Sequence, residues 1–599
     1  MQSSPANAED AQLSTLLKAA GSQYQPIQPA EVANTKAQLL ESLAALDAYL
    51  ASSPEAAGWK NYLKWNQLSA QLAHGVQPDA SQLRDVLKQY RDKYPGLELP
   101  WFTNVRYWLN AYANGVAALA SPDVKQYQAQ LETIGRALDA SQRGQPVASK
   151  DLGRAVGALQ RTGQARGLVA ALRRRFSRPN VLVCASARLV TTGIARPVDD
   201  TRPLQDTIMG TYITGTGHTL GQVTGQLLSD PHHAAMATTM TGTASSTTVG
   251  YNGPVVIYAS AQTGLWAQKM LYFDALGLHT QPAAANAMSS SCVTGVGTNR
   301  GGLIGRIIEK AAWKRIPEKK PLSDRISSEH ARAKLATQMD LQADTLIDRA
   351  NRLYGARLRN PLLRQEAFPR QLDISSDPTG LRITATQSSD EHLGAPGPPP
   401  QLAKQGEIYV QLHESFVNNL AADMLGGRTL TREEVEQGAI DTFGSLPPSM
   451  KQDQEEDSAP WAIEFAGEDP VTMAFDNDEA VITIRGQHYK SGGRTFQAMT
   501  VSARYKLVST PNGMRADRQG ELSVYPPAVG PGKAMGVREK VVEKMLRKRF
   551  NKIFEPQVVF HGLKLPGNFA KLGSLVAHNF KADDGWLLVA WDEGGTSEK

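Results

Sequence analysis

The spacing of apolar residues switches between a helical and an extended period several times along the chain, and the switches divide it into three parts. Residues 10–175 carry the helical period, with Leu13, Leu16 and Leu17 followed by Leu39, Leu40, Leu43, Leu46 and Leu50. Pro54, Pro78, Pro95, Pro122 and Pro146 punctuate it, each near an expected helix boundary. Trp59, Trp65, Trp101 and Trp108 mark the expected centre of this bundle. An aromatic stripe of this kind reads as core before it reads as a sugar-stacking platform. Arg173-Arg-Arg-Phe-Ser-Arg178 then closes the last helix, its cations offsetting the helix dipole.

From Asn180 the period is two. Val181, Val183 and Ala185 alternate, as do Met236, Thr238, Met240 and Gly242, and Asn252-Gly253 before Val256 and Tyr258 is a hairpin signal. At least four antiparallel strands are expected between residues 180 and 275. The helical period returns from about Gly302 to Arg359, with breaks expected near Pro317 and Pro321. Its second piece, capped by Ser323, should turn Ile326, Leu335, Met339, Leu346, Ala350 and Leu353 inward. Strands at Arg382–Thr386 and Glu407–Leu412 flank a Gly/Pro loop, and a short helix over Phe416–Leu425, capped by Ser415, ends at Gly426-Gly427.

The clearest alternation lies further on, in Trp461, Ile463 and Phe465, in Val471, Met473 and Phe475, in Ala480, Ile482 and Ile484, and in Met499, Val501, Ala503, Tyr505 and Leu507. Asn477-Asp478, Ser491-Gly-Gly493 and Pro511-Asn-Gly513 supply the turns, which predicts a meander with one wet and one buried face. A helix over Arg538–Phe554, with Val542, Leu546, Phe550 and Ile553 in line, should lie on that buried face. Its Lys544, Arg547, Lys548 and Lys552 fall largely off the line, as on an ordinary solvated helix.

Charge changes this picture in one place. From Thr207 to Gln268, 62 positions, the only Asp, Glu, Lys or Arg is Asp230, where average usage would place about twelve. Thr, Gly, Ser and Ala crowd the same stretch. The combination predicts a small-residue sheet that is covered or that faces something other than bulk water. Elsewhere residues 300–370 hold 16 Lys and Arg against 8 Asp and Glu, and residues 432–479 hold 2 against 14. Solvated faces on separate domains account for that asymmetry, including the acidic loop at residues 452–457. The net charge of +6 is small for 599 residues, and no nucleic-acid partner is expected.

No stretch has the roughly 18 to 20 unbroken apolar residues of a spanning helix. The polar start Met1-Gln-Ser-Ser-Pro-Ala-Asn-Ala-Glu-Asp lacks a signal-peptide pattern but resembles the beginning of a mature exported protein. Cys184 and Cys292 flank the β-rich middle, so a disulfide and two buried free thiols both remain open.

Candidate chemistry is thin. Gly215-x-Gly217-x-x-x-Gly221 and Gly295-x-Gly297-x-x-x-Gly301 suggest phosphate cradles, but neither has dinucleotide spacing. His218, His232 and His233 could converge on a metal, yet no His-Glu-x-x-His or Cys-x-x-Cys occurs. Ser289-Ser-Ser-Cys292 is not a nucleophile elbow, and Asp469, Asp476 and Glu479 sit where turn acids are common. No enzyme signature, cofactor site or metal site is expected.

The segment Glu407-Ile-Tyr-Val-Gln-Leu-His-Glu-Ser-Phe-Val-Asn-Asn-Leu, followed by a meander and a long helix, resembles small bacterial lipoproteins of the tubular lipid-binding (BPI-like) superfamily. That resemblance implies a curved antiparallel sheet wrapped around a helix, with lipid held in the slot between them. The region from 180 to 359 could be a second module of the same plan. The whole chain also resembles large exported proteins of planctomycete-type bacteria, which implies an envelope location, in the periplasm or at the cell envelope.

The expectation is therefore an α+β protein: a helical N-terminal domain (1–178), a β-sheet followed by helices (179–375), and an antiparallel meander with helices (376–599). Its expected role is non-catalytic, sheltering a lipid or other apolar ligand between sheet and helix. Met499, Val501, Ala503, Tyr505 and Leu507 facing Val542 and Leu546 are the candidate lining residues. A structural or scaffolding envelope protein with protein partners is the first alternative, and a hydrolase acting on glycans or peptides the second.

Overall fold

The computed structural model describes residues 5–120, 124–145, 147–401, 406–443, 460–511, 513–560, 562–565 and 567–594. The predicted acidic loop at 452–457 lies outside them. The N-terminal region is helical from Pro5–Ala20 to Arg166–Phe176. Its first core gathers Leu39, Leu46, Leu83, Phe102 and Leu109, and its second gathers Leu13, Ile134, Leu152, Leu172 and Phe176. The four tryptophans do not fill this core. Trp59, Trp65 and Trp108 pack on it half-buried, and Trp101 is 38% exposed with its ring stacked on Tyr49 at 4.0 Å.

β1 (Val181–Ser186) follows, then six strands of a middle sheet: β2 (Arg196–Ile208), β3 (Thr211–Leu228), β4 (Ala234–Asn252), β5 (Val255–Asp274), β6 (Gly277–Thr280) and β7 (Ala284–Thr298). A single helix of 53 residues, Gly302–Tyr354, comes next and is here the long helix. β8 (Gln371–Asp377), β9 (Gly380–Thr386) and β10 (Ile408–His413) lead to a helix at Glu414–Leu425. Then come β11 (Thr429–Thr431), β12 (Trp461–Phe465), β13 (Val471–Asp476), β14 (Glu479–Ser491), β15 (Arg494–Phe496), β16 (Met499–Thr510), β17 (Gly513–Arg518) and β18 (Ser523–Tyr525). The C-terminal helix, Val537–Ile553, precedes β19 (Gln557–Phe560), β20 (Leu563–Lys564), β21 (Ser574–Asp583) and β22 (Trp586–Glu593).

These strands form three antiparallel sheets. The middle sheet runs β2-β3-β4-β5, with β6 and β7 both pairing β5. The third sheet runs β11-β12-β14-β16-β17-β19 and carries the C-terminal helix. The protein is thus α+β, a helical N-terminal region followed by two antiparallel sheet-plus-helix modules. Between the modules lies a central sheet, β20-β21-β22-β10-β1-β9-β8, whose strands come from four separate stretches of the chain.

Several local expectations are corrected. The long helix is not broken at Pro317 or Pro321. Each proline deprives the carbonyl four residues earlier of its partner, and both of those residues, Trp313 and Pro317, are exposed, so water can satisfy them. Ser323 therefore lies inside a helix and caps nothing. Leu346 and Leu353, expected inward, are exposed. The shorter helix is capped by His413 and not by Ser415, since the amide of Ser415 donates to the His413 ring at 3.1 Å. Both cysteines are free, Cys184 in the central sheet and Cys292 on β7.

His413 is a joint. Its Nδ1 accepts from the Ser415 amide, which places the proton on Nε2, and its ring meets the edge of Trp586 at 5.0 Å. Burial pulls its pKa down to about 4, so it is neutral at pH 7. Because the folded value lies below the unfolded one, the contribution is complete above about pH 6.5 and is lost as pH falls towards 4, a difference worth about 3 kcal/mol. Burial raises the carboxyl of adjacent Glu414, which acts in the opposite sense. His413→Asn keeps a capping oxygen and removes the titration. Denaturation at pH 6.5 and pH 4 should show the wild type losing about 3 kcal/mol more than the variant across that interval; parallel curves would refute the assignment.

Candidate ligand tube of the middle sheet

The register of the middle sheet separates its two faces. Lys269, Thr263, Ser289, Ser291 and Asp206 share one face, and this is the face turned to the long helix. Its other members include Ile213, Gly221, Val223, Gly242, Ala244, Ala261 and Leu265. Gly221 and Gly242 are direct partners on this inner face. A Cβ on Gly221 would come 2.4 Å from the Thr241 carbonyl, and one on Gly242 would come 2.6 Å from that of Leu220. The two glycines let β3 and β4 approach closely at this point. Half of the charge-poor stretch is thereby explained as an inner wall. The other half is not covered: Thr216, Thr241, Thr243 and Thr247 face outward and are exposed, with Leu220, Trp266 and Met288 among them. Asp230, the lone charge, caps the β3–β4 turn by accepting from the amides of His232 and His233 at 2.9 and 3.0 Å.

The long helix closes the sheet through polar side chains. Just before β7 the amide of Ala283 donates to Asp340 at 2.9 Å, and along it that of Ser289 donates to Ser328 at 2.9 Å and that of Ser291 to Asp324 at 3.1 Å. On β6, Leu278 and Asn351 exchange two bonds through their backbone and side-chain amide. The rulers agree: eight strand residues from 283 to 291 span about 26 Å, and sixteen helical residues from 340 to 324 span about 24 Å. From the opposite edge, β2 presents Asp206 to His330 at 2.9 Å and to Lys334 at 3.7 Å. One helix thus engages both edges of the sheet, and the sheet and helix together make a tube.

Inside the tube most side chains are only half-buried. Ile213, Val223, Ala261 and Leu265 on the wall, and Leu335 and Met339 on the helix, all fall in that class, and the long helix buries only Gly305 and Ile347. Lys269 is the charged exception, 2% exposed and bonded to Asp340 at 2.5 Å, with Asp344 at 3.5 Å. Burial alone would raise the Asp340 carboxyl, but the Lys269 ammonium and the Ala283 amide outweigh it and hold it low. Asp324 is held low in the same way by Lys320 and Ser291.

The C-terminal module differs. Met499, Val501, Ala503, Tyr505, Leu507, Val542 and Leu546 are each 0–8% exposed and belong to one continuous core with Phe475, Tyr489, Phe550 and Phe554. Structure brings all seven sequence-predicted residues together, packed against one another. What sequence reasoning missed is the inner wall at 285–293, because Ala-Asn-Ala-Met-Ser-Ser-Ser-Cys carries a period of two but scarcely any hydrophobic contrast.

The remaining candidates resolve into structural roles. Gly295 and Gly297 lie within β7, and Gly215, Gly217 and Gly221 within β3. His218 pairs with Asp199 at 2.8 Å. Among the described residues no three His, Cys, Asp or Glu side chains converge on a metal position. A cleft of about 2180 Å³ between the helical region and the two later sheets contains Ser389, His392 and Asp423. Ser389 and Asp423 both approach the same ring nitrogen of His392, at 2.9 and 3.8 Å, which is not a nucleophile–base–acid relay. Charged pairs cross this cleft, Lys93–Glu434 at 3.0 Å and Arg161–Glu391 among them. No described helix is long and apolar enough to cross a membrane.

No protein-family model and no curated protein matches the chain. Among solved structures, a crystal structure of lipopolysaccharide binding protein matches 69% of this chain and 98% of its own, at 10% identity and a TM-score of 0.24. A score that low means the two frameworks do not superpose, so the tube stands on its own geometry.

Asp340→Asn would leave Lys269 buried without its counter-charge, at an expected cost of about 1.5–3 kcal/mol. The cost should appear as faster amide hydrogen exchange at residues 283–291. Lys269→Met should cost less, because Asp340, 32% exposed, can turn to water. Equal effects of the two substitutions would show that the pair does not hold the helix.

Proposed function

We propose that the middle module is a non-catalytic container for one elongated apolar or amphiphilic chain, of the lipid class, lying between the sheet and the long helix. The observation that supports it is the contrast between the two modules. The C-terminal helix buries Val542, Leu546 and Phe550 in 17 residues, whereas the long helix buries two in 53. Polar pegs along the sheet edges carry the long helix, and most of its apolar residues and of the inner wall are no more than half-buried. Aliphatic ligand carbons lying against them would gain about 0.8 kcal/mol per buried CH₂. A neutral lining of Gly, Ala, Ser and Thr suits an uncharged chain, and Lys269 with Asp340 and Asp344 marks one polar station for a head group. The same class of ligand against Met499 and Val542 would first require those side chains to part.

Placement at the cell envelope, where lipid is at hand, is part of this proposal. A scaffolding role is the second reading, favoured by the exposed Leu220, Trp266 and Met288 of the outer wall, and self-association on a sizing column would support it.

Lipid extraction and mass spectrometry of the purified protein test the container. Ala261→Trp, on the inner wall, should cut bound lipid about tenfold, with circular dichroism checking that the fold is retained. Val501→Ala in the C-terminal core should lower stability by about 1–2 kcal/mol and leave lipid content unchanged. A wild-type protein that carries no lipid and binds no fluorescent fatty-acid probe would end the proposal.

A further inference from the structure

At one end of the middle sheet Ile208 pairs with Thr211, and Val255 pairs with both Asn252 and Thr298, while the Asn252 side chain donates to the Thr211 hydroxyl at 2.9 Å. At this end the chain turns at Met209-Gly210 and Gly253-Pro254 and steps from β7 into the long helix. The tip it makes is apolar and open. Leu303, Ile304 and Ile307 on the first turns of the helix are 78%, 66% and 68% exposed, and Tyr212 and Tyr251, direct cross-strand partners, are each about half exposed. Single exposed apolar side chains are normal on a soluble surface. Three large aliphatics within two helical turns form a patch that calls for a partner.

Charge selects the partner. Between residues 294 and 317 stand Arg300, Arg306, Lys310, Lys314 and Arg315 against Glu309 alone. None of the five cations makes an ion pair among the described residues. The adjoining strand segments, 207–216 and 245–260, contain no Asp, Glu, Lys or Arg. An acidic protein surface would answer the cations and leave the aliphatic row without a partner. A bilayer interface answers both, with the cations at head-group level and the aliphatic side chains below it. We propose that this tip docks the protein on an anionic lipid membrane, the first turns of the long helix lying in the interface. The proposal is independent of what the tube contains, since a protein with an empty lumen can still dock.

Cosedimentation of the full chain with vesicles of phosphatidylcholine alone, or of phosphatidylcholine mixed with phosphatidylglycerol, tests it. Binding is expected to the mixed vesicles only, and it should weaken with added salt. Leu303→Asp combined with Ile307→Asp should lower it about tenfold or more, and Arg306→Gln combined with Lys310→Gln should do so with the apolar row intact. Circular dichroism guards against misfolding, of which such exposed sites carry little risk. Val537→Ser with Val541→Ser, exposed on the C-terminal helix, should change nothing. No binding, equal binding to both vesicles, or a loss produced by the Val537 and Val541 changes instead would each overturn the proposal.

Discussion

An open antiparallel sheet has two rows of unpaired backbone groups, and the middle module depends on how it satisfies them. It uses a helix. Asp324, Ser328 and Asp340 accept from β7 where a neighbouring strand would have accepted, Asn351 does the same for β6, and His330 and Lys334 hold β2. A helix that serves as a stave spans from one edge of the sheet to the other and presses few of its apolar side chains onto the sheet face. The half-buried side chains between sheet and helix follow from that position. In the C-terminal module the helix lies on the sheet face, its Val542, Leu546 and Phe550 ridge meets β16, and a packed core results. Two modules built to one plan thus reach opposite outcomes through the chemistry of a few helix positions.

The same constraint explains the composition of the middle region. A sheet that coils tightly enough for one helix to bridge its edges needs small inner residues, and Gly221 opposite Gly242 marks the closest approach. An unpaired charge inside would face a steep desolvation cost, and the one inward lysine of β5 has two aspartates waiting on the helix. Outward positions meet water and could carry charge, yet they hold Thr, Ser and Gln. Threonine suits a strand by its branching, which accounts for its presence there but not for the lack of Lys and Glu.

Legibility tracked the range of the interactions involved. The meander from Trp461 to Leu507 and the helix at Val537–Ile553 were readable because each alternation or stripe is local and strongly contrasted. Two turns were readable for the same reason: Gly253 and Asn477 both adopt positive φ. β7 was not, since its inward Ala, Ser and Val differ little from its outward Asn, Ser and Thr. The central sheet was invisible because β1 finds β9 and β10 some two hundred residues away, and no local pattern encodes a partner. Prolines misled for a physical reason, since the rule that they end helices assumes the freed carbonyls have nowhere to turn. At Trp313 and Pro317 they face solvent. The seven predicted lining residues were legible as a buried set, but periodicity cannot tell a side chain that faces a ligand from one that faces another side chain.

Length adds a last consequence. A helix of 53 residues extends about 80 Å, whereas the longest strand of the sheet, at 20 residues, covers about 66 Å, so a helix matched to the edges must overrun them. Measured from the Ser291–Asp324 contact, the end of β7 at Thr298 is reached near helix residue 309. Residues before that point have little sheet to lie against, and only Gly305 is drawn in, close to Thr298 and the Arg300 carbonyl. Leu303, Ile304 and Ile307 are therefore apolar where the fold gives them no internal partner. Packing in this chain does not call for those residues to be hydrophobic, and the burden of explaining them shifts to whatever the tip meets.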